Sequence, residues 1–379
     1  MNAVKILLGT CLSFLLFACP YSTLATAIAA ERAGGPRTFV KTSGVYDCGG
    51  AKSEGFDITA SNVIVQNCDI STQANGNDGY GIFVHGGAQR VTIRNNRIHD
   101  LCRDGIWMDE TVSSVTVDSN KVSRASMAGV NVNGTNGKVL NNDISGTMQY
   151  PNRLGGIFAV CANQEGADAD AIRFFGRHHL IRGNHLHDIE YGTVTNVNPH
   201  IDCFQTWKNA DDILIEGNTC HWPASSAAEI GMIEGKNGPV GTVTIRHNVF
   251  ANMHQGVNIG ANVGAIVFEN NIVDHVAQEV VIFTRAATVT PASSISNNIF
   301  YDCGSGNDSY TTSLVPVVTN NLCRMRSGAR CGSYPVDAPA ISEDPLFVSN
   351  GTGSAPWTNA DYHFQMISPV RGLGAFPLQ

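Results

Sequence analysis

The sequence predicts an all-β chain wound as a right-handed parallel β-helix of about ten coils with an Asn-rich turn ladder, on the strength of two repeating patterns. The first pattern runs apolar, any, apolar, two residues, Asn, any, apolar. It reads Val91-x-Ile93-x-x-Asn96-x-Ile98, then Val115-x-Val117-x-x-Asn120-x-Val122, and returns around Asn218, Asn248 and Asn271. Weaker copies place Asn142, Asn184, Asn298 and Asn321 at the same point, and Cys68 takes it in the first coil. Alternating apolar residues make a short strand with one buried face. An Asn at a fixed point is expected to adopt left-handed backbone geometry and to hydrogen-bond its stacked copies.

The second pattern supplies another strand: Asp104-Gly105-Ile106, Asp170-Ala171-Ile172 and Asp202-Cys203-Phe204, each continuing for two or three residues. Three short strands per coil, stacked about 4.8 Å apart, make a parallel β-helix. A leucine-rich repeat would need Leu-x-x-Leu-x-Leu, and a propeller would need antiparallel hairpin signals; the sequence has neither.

The first thirty residues are expected to be a signal peptide: Lys5, an apolar run from Ile6 to Ala18, then small-residue sites at Ala25–Ala29. Leu16-Phe17-Ala18-Cys19 also fits a lipoprotein box, which would anchor the chain through Cys19 instead. The remaining residues, 31–379, read as one β-helix domain, secreted or periplasmic and without a transmembrane segment, with a C-terminal closing segment from about residue 324. A net charge of −8 with 15% charged residues gives no general attraction to nucleic acid. The chain is expected to be a monomer. Of 11 cysteines, Cys11 and Cys19 fall in the leader; the others predict several disulfides and at least one free thiol. Cys48 with Cys68, and Cys303 with Cys323 or Cys331, are the expected couples. No CxxC spacing supports a zinc finger.

The C-terminal pieces Asp344-Pro345-Leu346-Phe347-Val348, Tyr362-His363-Phe364 and Ser368-Pro369 resemble the closing segment of secreted bacterial β-helix proteins. With the coils, they make most of the mature chain similar to the pectate-lyase-like superfamily. That resemblance implies the fold and leaves the reaction open, since the superfamily holds lyases, glycosidases, epimerases and proteins without catalysis.

In such a helix, chemistry belongs on outward positions and in long turns. One expected outward column carries Phe83, Trp107, Asn131, Arg173 and Gln205; the next carries His85, Asp109, Asn133, Phe175, Trp207 and Glu234, with Lys208 following. Trp107, Asp109, Phe175, Gln205 and Trp207 are the candidate substrate-binding residues, because aromatic faces stack on sugar rings and polar groups bind hydroxyls. The bland alternative is that long turns fold over these aromatics and bury them. Residues 145–170 and 187–202 are oversized turns of the kind that carry function. Asn198-Pro199-His200 resembles the Asp-Pro-His of β-helix alginate epimerases, with Asn in place of Asp. Asp211-Asp212 lacks the companion motifs of polygalacturonases and reads as a turn.

His187 and His221 each stand three residues after a ladder Asn, on neighbouring coils, with His99 at the same position farther off. They read as ordinary histidines bound to Asp100, Asp188 or each other, or as a proton-transfer group or metal ligand. Asp104, Asp170 and Asp202 precede strands, where Asp caps backbone amides; the expectation is no required cofactor, or Ca2+ held by Asp170 and Asp202. The leading function is a polysaccharide lyase acting on a uronate, with Arg173 neutralising the carboxylate, Lys208 as base and His200 as alternative base or acid. A glycoside hydrolase would use Glu234 with Asp202. A non-catalytic glycan-binding protein is the third reading.

Overall fold

The computed structural model describes residues 36–74, 76–147, 169–188, 201–221, 228–277, 280–283, 292–303, 316–324, 344–349, 361–365, 368 and 373–375. The expected leader, Cys19, Cys331, His200 and most of both long turns lie outside the described residues.

Three long parallel sheets run the length of the chain, with 10, 11 and 11 described strands. Each coil visits them in order, and each strand pairs with its counterpart one coil away. Sheet 1 starts at Thr38–Val40 and includes Ile106–Met108, Val130–Val132, Ile172–Phe174, Asp202–Thr206 and Glu229–Ile233. Sheet 2 runs from Gly44–Asp47 to Val317–Thr319, and sheet 3 from Lys52–Ser53 to Leu322–Arg324. The repeat dictates this stacking: Ile106 aligns with Val130, Val130 with Ile172 and Ile172 with Phe204, and all four are buried. One continuous apolar core fills the inside of the coils.

The Asn ladder joins sheet 2 to sheet 3. Asn218 donates from its amide nitrogen to Ile181 O (3.0 Å) and to Asn248 Oδ1 (3.0 Å), while its own Oδ1 accepts from the backbone and side chain of Asn184. The same pattern repeats from Asn96 to Asn321. One expectation needs correcting. The left-handed residue is the one before the ladder Asn: Asn95, Ser119, Asn141, Gly183, Gly217, His247 and Asn270 have φ of 53–69°. That exposed residue makes the bend, and the ladder Asn follows it with its amide turned inward to occupy backbone groups that the bend leaves open.

At the turn into sheet 1, Gly105 is required by space: a Cβ there would lie 2.4 Å from Gly129 O and 2.5 Å from Val122 Cγ1. Cys48 pairs with Cys68 as expected. Cys203 pairs with Cys220, tying sheet 1 to sheet 3 within one coil. Cys102 and Cys323 are also disulfide-bonded. Cys303 is free and buried, which overturns its expected pairing, and burial pushes its thiol up out of the reactive range. Disulfides of this kind fit an oxidising, extracellular setting.

The described parts of the expected closing segment lie against the outer flank of sheet 3. Phe347–Ser349 pairs antiparallel with Asp361–Phe364, and Phe347, Tyr362 and Leu373 pack on the outward residues Val249, Ile272, Ile299 and Leu322 of sheet 3. Tyr362 donates its hydroxyl to Asp274 (2.6 Å). Apolar residues on that flank, where earlier coils carry Arg97, Lys121 and Asp143, are what the segment needs to bind. Among the described residues no helix is long and apolar enough to cross a membrane.

Candidate functional site

The strand register puts Phe83, Trp107, Asn131, Arg173 and Gln205 in one outward column of sheet 1, as the alternation predicts. Thr206 aligns with Ile233, so Trp207 and Glu234 are neighbours in the second column. The middle of this face is nevertheless closed. Asn131, Arg173 and Gln205 are 1%, 4% and 3% exposed, and Phe175 is 2% exposed. Trp107, Asp109, Trp207 and Lys208 are half-buried. Alternation fixes which way a side chain points, and says nothing of what lies over it; the expected open groove is therefore narrower than the column.

Two aromatic groups flank the closed centre. At one end Tyr80 packs against Phe83 and Trp107, each with ring centroids 5.3 Å apart, and Arg103 lies over the Tyr80 ring. Burial, then the Asp104 carboxylate, push the Tyr80 hydroxyl up to about 12. At the other end Phe175 meets Trp207 edge-on at 4.6 Å. Arg173 lies over the Trp207 ring (5.3 Å) and Lys208 over the Phe175 ring (5.5 Å). Between the two groups Asn131 is buried with neither side-chain oxygen nor nitrogen hydrogen-bonded. An unsatisfied amide of that kind costs about 1–3 kcal/mol.

Several expected roles change with these contacts. Arg173 is no free neutraliser: its Nε donates to Asp170 (2.6 Å), and both residues are buried. Asp170 Oδ1 also accepts the Asp202 backbone N–H (3.0 Å). Asp170 is thus a turn-forming anchor with a guanidinium beside it, a poor setting for calcium. Asp104 plays the same part, accepting from Ala128 N (3.2 Å); burial raises its carboxyl, opposed by Arg173 and Arg103. Asp202 is fully buried and aligns with Glu229, five residues before Glu234 along the strand direction. At about 3.3 Å per residue that is roughly 16 Å, too far for a pair of hydrolytic carboxylates, which need about 5–10 Å. Asp211 accepts from Asp212 N and Thr242 N, but Asp211-Asp212 lies inside the strand Ala210–Glu216 rather than in the expected turn, with only Asp212 in left-handed geometry (φ 51°). His200, the alternative base, lies outside the described residues.

Lys208 keeps its place. Its Nζ meets Glu110 Oε1 (2.5 Å), a residue 98 positions earlier, and both line a cavity of 710 Å³. Phe175, Asn133, Arg177 and Asp211 share that cavity, while Gly134 and Gly176 open it. Both glycines have left-handed φ (+78° and +89°), and a Cβ on Gly176 would stand 2.0 Å from Gly134 O. A second cavity of 420 Å³ is lined by Trp207 with Gln205, Met232, Glu234 and Lys236. Glu110 and Lys236 escaped the strand-based reading because they sit in turns, where period-2 alternation ends, and Arg177 because it lies at the start of a sheet 2 strand, Gly176–Arg182, outside the sheet 1 columns. The paired glycines before Arg177 were the available signal. Aromatic faces, amides and both signs of charge around two adjoining cavities suit a hydroxyl-rich, charged ligand.

The histidine row lies on sheet 3, away from this face. His187 and His221 do stack, with centroids 5.8 Å apart, and His99 and His187 each contact the following Asp.

A family model for the right handed beta helix region matches residues 37–169. No curated protein matches the chain. PfbA, a surface adhesin of Streptococcus pneumoniae, is 15% identical with a TM-score of 0.43, covering 68% of each chain. The pectate lyase Pel9A is 14% identical with a TM-score of 0.42, covering 93% of this chain and 90% of its own. A tailspike protein of E. coli bacteriophage HK620, in complex with a pentasaccharide, is 12% identical with a TM-score of 0.40, over 80% and 62% of the two chains. With three continuous parallel sheets in view, the matched region identifies the fold as the right-handed parallel β-helix that the repeats predict.

Proposed function

We propose that the chain is an exported protein that holds an acidic polysaccharide against Trp207, on the outward face of sheet 1, and cleaves it by β-elimination. The observation that carries this reading is the half-buried Trp207 ring, seated on the buried Phe175, next to Lys208 in the lining of the larger cavity. A uronate unit stacked on Trp207 brings its ring C–H groups to the indole and its carboxylate towards Arg177 or Lys236, the exposed cations of the two cavities. The Lys208 amine, displaced from Glu110, takes the C5 proton; the C4–O bond breaks, a C4–C5 double bond forms, and the leaving oxygen takes a proton from water. Arg173 positions Trp207 from below. The step uses no calcium, because Asp170 is committed to Arg173 and Asp202.

A second reading, binding without cleavage, is favoured by the Lys208–Glu110 ion pair, which already engages the amine. One experiment separates the two. The protein is incubated with a panel of uronate and neutral polysaccharides while near-ultraviolet absorbance and reducing ends are followed. Elimination yields both signals on a uronate polymer, with Lys208→Ala lowering the rate at least 100-fold and Trp207→Ala weakening binding. Reducing ends without absorbance would overturn the lyase reading. Silence in both assays, with glycan retained on the wild type and lost in Trp207→Ala, would establish the binder.

A further inference from the structure

We propose that Asp143, His185 and His187 form a site for a divalent transition-metal ion of the zinc class on the outward face of sheet 3. Parallel register stacks Asp143 directly against His185 on the next coil, and period-2 alternation puts His187 on the same face of the same strand. Asp143 Oδ1 lies 3.2 Å from His187 Nε2, and Oδ2 lies 3.9 Å from His185 Nδ1. One ligand atom from each of the three residues lies within 4.8 Å of the others. Ligands about 2.1 Å from one tetrahedral zinc stand about 3.4 Å apart, so small rotations of half-exposed side chains complete the set. Three protein ligands leave a coordination position open to solvent.

The nitrogens turned away from this point are each held by a partner. His187 Nδ1–H donates to Asp188 Oδ2 (2.8 Å), which leaves the Nε2 lone pair facing Asp143. His185 Nε2 lies 2.8 Å from His221 Nε2, a contact that needs a proton on one of them. With His185 Nδ1 on the metal, its Nε2–H is the donor and the His221 ring is the acceptor. Orientation of ligating imidazoles by such outer hydrogen bonds is the usual construction of a zinc or copper site. Two imidazoles and a carboxylate select transition metals over calcium and magnesium, which take mainly oxygen.

The molecule contains its own control. An earlier coil repeats the arrangement with Asp69, His99 and Asp100: His99 lies 2.8 Å from Asp69 and 2.6 Å from Asp100. There Arg97 occupies the place of His185, and its guanidinium reaches both Asp69 (3.1 Å) and His99 (3.0 Å). A cation built into the chain neutralises that carboxylate. At Asp143 the equivalent residue is a metal ligand.

The test is titration of the full chain, stripped with chelator, with zinc chloride, using calcium chloride as comparison. Wild type should bind one zinc per chain with at least 100-fold preference over calcium. His185→Arg, which copies the Arg97 coil, should lose that affinity at least 100-fold with an unchanged circular dichroism spectrum and melting temperature. Asp143→Asn provides a second variant should His185→Arg melt early, and should also lose the affinity. Absence of zinc binding in wild type, or wild-type affinity retained in either variant, would overturn the site and leave His187 as an ion-pairing residue between two carboxylates. Either result is independent of polysaccharide cleavage.

Discussion

Arg173 shows how much a residue's role depends on its immediate partners. Its position in an outward column suggests a cation waiting for a substrate carboxylate, whereas its Nε is held by Asp170 in a buried pair and its guanidinium supports Trp207. Removing one partner of a buried pair strands the other, at a cost of about 3–5 kcal/mol. Arg173→Ala should therefore lower stability by about that much in denaturant unfolding. A normal unfolding curve with activity alone abolished would restore Arg173 to direct contact with substrate. His179 offers a second residue-scale test. Its Nδ1 accepts from Gly137 N (2.9 Å) and its Nε2–H donates to Phe175 O (2.6 Å), so the buried ring is neutral and burial depresses it to about 4. The unfolded chain takes up this proton first, near the ordinary value of about 6.5. The stability due to His179 is then complete above about pH 7 and is lost as pH falls from 6.5 to 4, by roughly 3 kcal/mol. Proton NMR should show a ring that does not titrate near neutrality; a His179 midpoint close to 6.5 would contradict the buried tautomer.

At the scale of the elements, the turn between sheets 1 and 2 decides whether the larger cavity exists. Gly134 and Gly176 stack with left-handed backbones, and a Cβ on either would collide with carbonyl oxygen of the adjoining coil, Val112 O at 2.1 Å and Gly134 O at 2.0 Å. Gly176→Ala should cost more than the roughly 1 kcal/mol of a strained left-handed residue, because the backbone contact adds to it. It should also weaken glycan binding by displacing Phe175 and Arg177. A thermal melt and a binding isotherm of this one variant check both effects; an unchanged melt would mean the coils separate easily at this turn. The glycine pair is visible in the repeats, and the cavity is not. Strand alternation assigned Trp107, Phe175 and Trp207 correctly to one face, yet Glu110 joins Lys208 across 98 residues of chain. Such a contact follows from coil stacking and the lengths of turns, which no local pattern encodes.

For the whole molecule, stability is a sum over neighbouring coils, so a lesion spreads only to the coils beside it. The Cys203–Cys220 bridge locks the coil that carries Gln205, Trp207 and Lys208. Replacing both cysteines by Ala should cost about 3 kcal/mol from a closed loop of this length. Hydrogen exchange should accelerate in the Ile172–Phe174, Asp202–Thr206 and Glu229–Ile233 strands and stay slow near Ile106. Uniform acceleration along the chain would mean that the β-helix unfolds as one unit.

By itself the sequence determined the coil. Period-2 apolar residues and a recurring Asn specify strands, inward faces and the stacking of like on like, because each coil repeats the same local energetics and meets its own pattern one turn away. The columns of sheet 1 and the stacked His187 and His221 were legible for that reason. The tertiary structure alone decided which outward residues are covered, that Arg173 belongs to Asp170, and that Asp202 and Glu234 stand too far apart to act together. It also decided that Cys203 finds Cys220 and that the C-terminal segment lies along sheet 3. Burial and pairing between residues on different sheets depend on how wide each coil is and where each turn leads. Those distances arise only when all coils are packed together.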